Sequence, residues 1–115
     1  MKLKDIVSQI HIPLTKITGY ALKLNHPSGR DKAYMFKKHL GYTQDNYAFL
    51  IEQIEEMALT ANAIECPSNE HGRIFQVDLQ IFGNYEGQKE TVRTGWIVKP
   101  ESNIAQLTTL YIIER

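Results

Sequence analysis

The sequence predicts an α+β fold, one domain over residues 1–115, in which N-terminal helices pack on a C-terminal antiparallel sheet of three or four strands. Three observations carry this. Apolar residues recur every three or four positions through the first half of the chain; period-two alternation replaces them from Ala63 onward; and no repeat, linker or low-complexity stretch divides the halves. Composition agrees, since 43% apolar and 23% charged residues in a chain of one-core length exclude disordered and fibrous classes.

The first element is QIHIPL, residues 9–14, which reads as extended because Pro13 turns Ile12 away from helix and supplies no N–H. Thr15 then caps a short helix to about Leu24, with Ile17, Ala21 and Leu24 at helical spacing and Gly19 as its weak point. In NHPSGRDKAYMF, residues 25–36, Ser28 and Asp31 have the spacing of a capping box in acidic form. A helix therefore runs from Gly29 to Leu40, buries Ala33, Phe36 and Leu40, and stops at Gly41. Lys32 falls about 80° from the centre of that buried stripe, at an edge where the stem packs and the ammonium reaches out.

Thr43 caps a longer helix, Gln44 to Asn62, with Tyr47, Leu50, Ile51, Ile54, Met57, Ala58 and Ala61 inward and Glu52, Gln53, Glu55 and Glu56 outward. Strands follow at 73–82, 90–98 and 107–113, with a minor strand at 63–66. Gly83, Asn84 and Gly87 turn the chain after the first of these, and Pro100 to Asn103 break it after the second.

The net charge of zero conceals an asymmetry: residues 1–42 carry eight basic and two acidic side chains, residues 43–115 five and eleven. Such a dipolar molecule steers a polyanion to its basic side, or the two blocks neutralise each other across the fold. No stretch approaches the roughly 18 apolar residues of a membrane helix, and Asp5 interrupts what a signal peptide would continue, so a cytoplasmic protein without membrane contact is expected. Cys66 is alone, which suits a reducing compartment.

Neither metal nor cofactor is expected. Histidines 11, 26, 39 and 71 include no pair at i, i+4; Cys66, Glu70 and His71 make only a weak loop cluster; and no glycine-rich phosphate loop or nucleophile turn is present. The helix start in NHPSGRDK is different. Free backbone N–H groups attract phosphate there, Arg30 grips it with two donors, Lys32 stabilises the added charge of a phosphorane, and His26 is suited to proton transfer. These groups suffice in kind for attack of an RNA 2′-hydroxyl on its own phosphodiester. The alternative is a capped surface helix in which Asp31 neutralises Arg30 or Lys32.

On the strands, Thr94 and Trp96 are expected beside Thr109 and Tyr111, with Leu107 and Ile113 on the latter face. Hydroxyls next to rings suit base stacking, or the rings are core aromatics and the threonines serve the sheet. Arg93, on the opposite face of its strand, is a further candidate for binding substrate.

The order His-Pro-x-Gly-Arg-x-Lys-Ala-x-x-Phe-x-x-x-Leu-Gly from His26 to Gly41, Val-x-Thr-x-Trp-Ile-Val from Val92 to Val98, and Leu-Thr-Thr-x-Tyr from Leu107 to Tyr111 resembles a small bacterial domain-of-unknown-function family. That family occurs alone and at the C-termini of polymorphic or contact-dependent inhibition toxins. The resemblance implies similarity to the barnase/EndoU/colicin/RelE group of metal-independent ribonucleases, with N-terminal helices against a C-terminal sheet. It implies catalytic roles for His26, Lys32, Thr109 and Tyr111, and substrate binding by Arg30, Thr94 and Trp96. It further implies an RNA substrate, such as tRNA, and a cognate antitoxin or immunity protein. The chain departs from the family pattern at Asp31, where the pattern carries a histidine. A non-catalytic RNA-binding module and a protein-interaction domain built on the two charge blocks are the competing expectations.

Overall fold

The computed structural model describes residues 1–113. Its sheet contains β1 (Gln9–His11), β2 (Ala63–Asn69), β3 (Gly72–Phe82), β4 (Lys89–Val98) and β5 (Ile104–Ile112), in the spatial order β1-β5-β4-β3-β2. Strands β2 to β5 are the antiparallel meander that the alternation predicts. The expectation of a wholly antiparallel sheet of three or four strands is corrected by β1, which adds a fifth strand parallel to β5, Gln9 beside Ile104 and His11 beside Gln106. Pro13 makes this piece extended, as read, but three residues carry no signal of their partner.

Among the described residues three α-helices complete the α+β fold: α1 (Leu14–Lys16), continued by a π-helical turn over Ile17–Ala21, α2 (Arg30–Leu40) and α3 (Ala48–Met57). Thr15 does not cap the first. Pro13 precedes it, and the Leu22 N–H reaches back five residues to the Ile17 carbonyl (2.9 Å), widening the turn and leaving Leu24 exposed. Helix α2 stops as expected at Gly41, whose φ of 71° is the left-handed conformation that favours glycine. Helix α3 is shorter than Gln44–Asn62, because Asn46 Oδ1 accepts bonds from the N–H (2.7 Å) and hydroxyl (3.1 Å) of Thr43 and forms a turn there.

Gln53, expected on the polar side of α3, is buried. Its Oε1 accepts the Phe82 N–H at 2.8 Å, and its Nε2 donates to the Phe82 carbonyl (2.9 Å) and to the Tyr42 hydroxyl (3.0 Å). Beyond the reach of β2, the end of β3 has an unpaired backbone edge, and this amide takes the place of a strand there. Burial raises the Tyr42 phenol above its ordinary value, against the opposing effect of the Gln53 bond.

The buried residues form one cluster between the helices and a single face of the sheet. Phe36, Leu40, Leu50 and Ile54 supply the helical side, and Phe75, Val77, Ile81, Val92, Trp96, Leu107 and Leu110 the strand side. Burying each such side chain is worth about 1.5–3 kcal/mol, so this face fixes the register of β3, β4 and β5. A bulge decides what remains outside: Gly95 pairs with Thr109 and Trp96 with Leu107, leaving Thr108 as an extra residue. Side-chain parity inverts there, so Leu107 points into the core while Thr109 and Tyr111 stand on the open face. On that face Asp78, Arg93 and Tyr111 are cross-strand neighbours in one row.

Candidate functional site

The site is built where the loop before α2 meets the end of β5. His26 organises the loop: its Nδ1 accepts the backbone N–H groups of Ser28 and Gly29, both at 3.1 Å. That lone pair is therefore occupied, and the proton of the neutral ring sits on Nε2. The expected capping box is absent, since neither Ser28 nor any other side chain caps α2, whose N-cap is Gly29. Gly29 packs closely against Tyr20: a Cβ there would lie 3.3 Å from both the ring and the carbonyl oxygen of that residue.

Tyr20 is the hub. It sits in the π-helical turn, and the edge of its ring meets His26 with centroids 4.9 Å apart and planes at 79°. Lys32, half-buried at the edge of the inward face of α2 as its angular position predicts, donates to the Tyr20 hydroxyl at 3.3 Å. Its Nζ also lies 4.9 Å from the centroid of the Tyr111 ring. Tyr20 thus links His26 to Lys32, and Lys32 in turn meets Tyr111. Such placement of an ammonium against rings is attractive, at about 0.5–1 kcal/mol where exposed.

On the far side of Tyr111, Arg93 makes two parallel bonds to Asp78, Nε to Oδ1 at 3.0 Å and Nη2 to Oδ2 at 3.1 Å. Asp78 first and Tyr111 second hold the guanidinium charged, raising its proton affinity. Thr109 shares the open face with Tyr111, two residues away, and packs into the space that Gly95 leaves, where a Cβ would approach its Cγ2 to 2.8 Å. Arg30 is exposed at the first position of α2.

Thr94 and Trp96 are not part of this arrangement. Both are fully buried on the opposite face of the sheet, where the Trp96 indole donates to Thr94 Oγ1 (2.8 Å) and that hydroxyl donates to the Val77 carbonyl (2.6 Å). The side-by-side placement with Thr109 and Tyr111 is corrected by the bulge, which puts the two pairs on different faces.

Among the described residues the ion pairs are His71–Glu70, Arg73–Glu65 and Arg93–Asp78, so Lys32, Arg30 and Asp31 are matched by no opposite charge. No group of three or more His, Cys, Asp or Glu side chains among them is placed to hold a metal ion, and no helix is long and apolar enough to cross a membrane. Sequence reasoning missed Tyr20 and Asp78. Asp78 had a signal, a polar position directly across the strand pair from Arg93; Tyr20 had none, because a π turn displaces it from the 3.6-residue period.

The arrangement is a positively charged, aromatic-lined surface suited to an anion carrying flat rings. Residues 2–114 match the family described as Domain of unknown function (DUF6883), and the chain belongs to that family. No curated protein and no solved structure matches it.

Proposed function

We propose that this member of the DUF6883 family is a metal-independent endoribonuclease toxin acting in the cytoplasm on tRNA or another structured RNA. The observation that carries the reading is Lys32, an ammonium matched by no carboxylate among the described residues, set between the Tyr20 hydroxyl and the Tyr111 ring and two residues from the exposed Arg30. In the reaction the 2′-oxygen forms a bond to phosphorus and the bond from phosphorus to the 5′-oxygen breaks. Lys32 and Arg30 hold the phosphate and stabilise the charge of the phosphorane.

With Nδ1 occupied, His26 donates its Nε2–H to a phosphate oxygen, a narrower role than proton transfer. The Tyr111 hydroxyl protonates the departing 5′-oxygen, water takes the 2′-proton, and Thr109 contacts the backbone beside it. An activity harmful to its host implies an acidic antitoxin or immunity protein that masks the basic side.

Purified protein incubated with total RNA in excess EDTA tests the assignment. Cleavage is expected, and Lys32→Ala lowers its rate by about 100-fold or more, the effect of removing one transition-state donor. No cleavage at any protein concentration, or undiminished cleavage by Lys32→Ala, refutes it. The occupied Nδ1 of His26 favours one second reading, a module that binds RNA without cutting it. Retention of RNA intact, with affinity falling steeply as salt rises, selects that reading.

A further inference from the structure

We infer that the cavity beside Lys32 is a nucleobase pocket and that Asp31 makes it selective for guanine; this rests on the RNA reading above. The cavity has a volume of about 300 Å³ and is lined by Asp31, Lys32, Met35, Tyr111, Ile112 and Ile113. Three aliphatic side chains and one aromatic ring suit the faces of a planar ligand, and Asp31 and Lys32 are the charged groups on the same lining that can read its edges.

Asp31 is the group without a task elsewhere. It lies in the first turn of α2 but caps nothing, because His26 already accepts the loop amides, and it is in no ion pair among the described residues. Its carboxylate only accepts hydrogen bonds. Of the four RNA bases, guanine alone presents two adjacent donors on one edge, N1–H and the exocyclic N2 amine. Adenine and cytosine set a ring-nitrogen acceptor beside their amine, and uracil flanks its single N–H with carbonyl oxygens, so each turns lone pairs toward the carboxylate. Lys32, next in sequence, serves the phosphate of the same strand. A negative charge that suits a phosphate subsite poorly therefore suits the base beside it.

The test uses the full chain and fluorescein-labelled hexaribonucleotides, 2′-O-methylated throughout so that none is cleaved. All have a uridine background and one central G, inosine, A, C or U, and binding is read by anisotropy at low salt with excess EDTA. The G oligonucleotide is expected to bind roughly 5- to 150-fold more tightly than the A, C and U ones, the discrimination of one two-bond base contact. Inosine, lacking the N2 amine, loses much of that advantage. Asp31→Ala abolishes the preference, and Asp31→Asn shifts it toward adenine, whose amine and ring nitrogen match an amide.

Equal affinity for all bases, or an unchanged preference in Asp31→Asn, overturns the pocket. Base-indifferent binding that Lys32→Ala weakens overturns the pocket alone and leaves the RNA site standing. No binding of any oligonucleotide overturns both.

Discussion

Replacing Thr94 with valine separates a core threonine from one that touches substrate. Valine nearly reproduces the shape, so packing is preserved while the hydroxyl is lost. The Trp96 indole N–H, bonded to that hydroxyl at 2.8 Å in a site with no solvent access, then has no acceptor. Orphaning a buried donor costs about 1–3 kcal/mol, and losing the 2.6 Å bond to the Val77 carbonyl costs about 0.5–1.5 kcal/mol more. The expected loss is about 2–4 kcal/mol. At roughly 4 °C per kcal/mol for a chain of this size, Tm falls by about 8–16 °C. Urea unfolding followed by fluorescence of the single tryptophan measures it, with an unchanged m value showing that the unfolding reaction is the same. In a Trp96→Phe background, followed by circular dichroism, the orphan no longer exists and the valine substitution costs about 1 kcal/mol less or better. RNA affinity of the folded variant stays within about twofold of wild type, as it should for a residue on the covered face. A stability loss below about 0.5 kcal/mol, or weakened RNA binding at unchanged stability, refutes this account of Thr94.

Gln53→Met keeps the length of the side chain but removes both bonds to the Phe82 backbone and the bond to Tyr42, and is expected to cost about 2–4 kcal/mol in the same unfolding assay; a change below about 0.5 kcal/mol shows that α3 is not tied to β3 through this amide. Tyr42 sets an alkaline limit. Because burial raises its folded value above the ordinary 10.0, its contribution to stability is full below that pH and is lost as pH rises through the folded value. Stability in urea should therefore decline above about pH 10 with a slope that Tyr42→Phe reduces; an identical slope in the phenylalanine variant would argue against the burial effect.

Strong periodicity was the legible part of the fold. The alternation in β3 buries Phe75, Val77, Leu79 and Ile81 as predicted, and the stripe Ala33, Phe36, Leu40 is the buried face of α2. Where one residue breaks a period, the reading failed for identifiable reasons. Thr108 has the β-propensity of its neighbours, so its extra place in β5 left no mark, yet it decides that Leu107 and Tyr111 lie on opposite faces. Gln53 sits among glutamates on the polar side of α3, and the need that buries it, an unpaired edge 29 residues away, is a tertiary fact.

The site divides along the same line. Lys32 was placed at the edge of its helix by angle alone, and the structure puts its ammonium against Tyr20 and Tyr111 from that edge. The residue that hands its loop to this lysine was misread, because the spacing rule for helix starts considers Ser28 and Asp31 and ignores an imidazole just upstream. Tyr20, behind the loop, holds the His26 ring at 4.9 Å, and from there Nδ1 reaches the amides of Ser28 and Gly29 before either oxygen-bearing side chain does. One acceptor satisfies two donors, so the carboxylate that the rule assigns to the helix end is released from it. Asp31 then lines the cavity beside Lys32 with no ion-pair partner among the described residues, and the charge that looked least compatible with RNA becomes the group best able to choose among its bases.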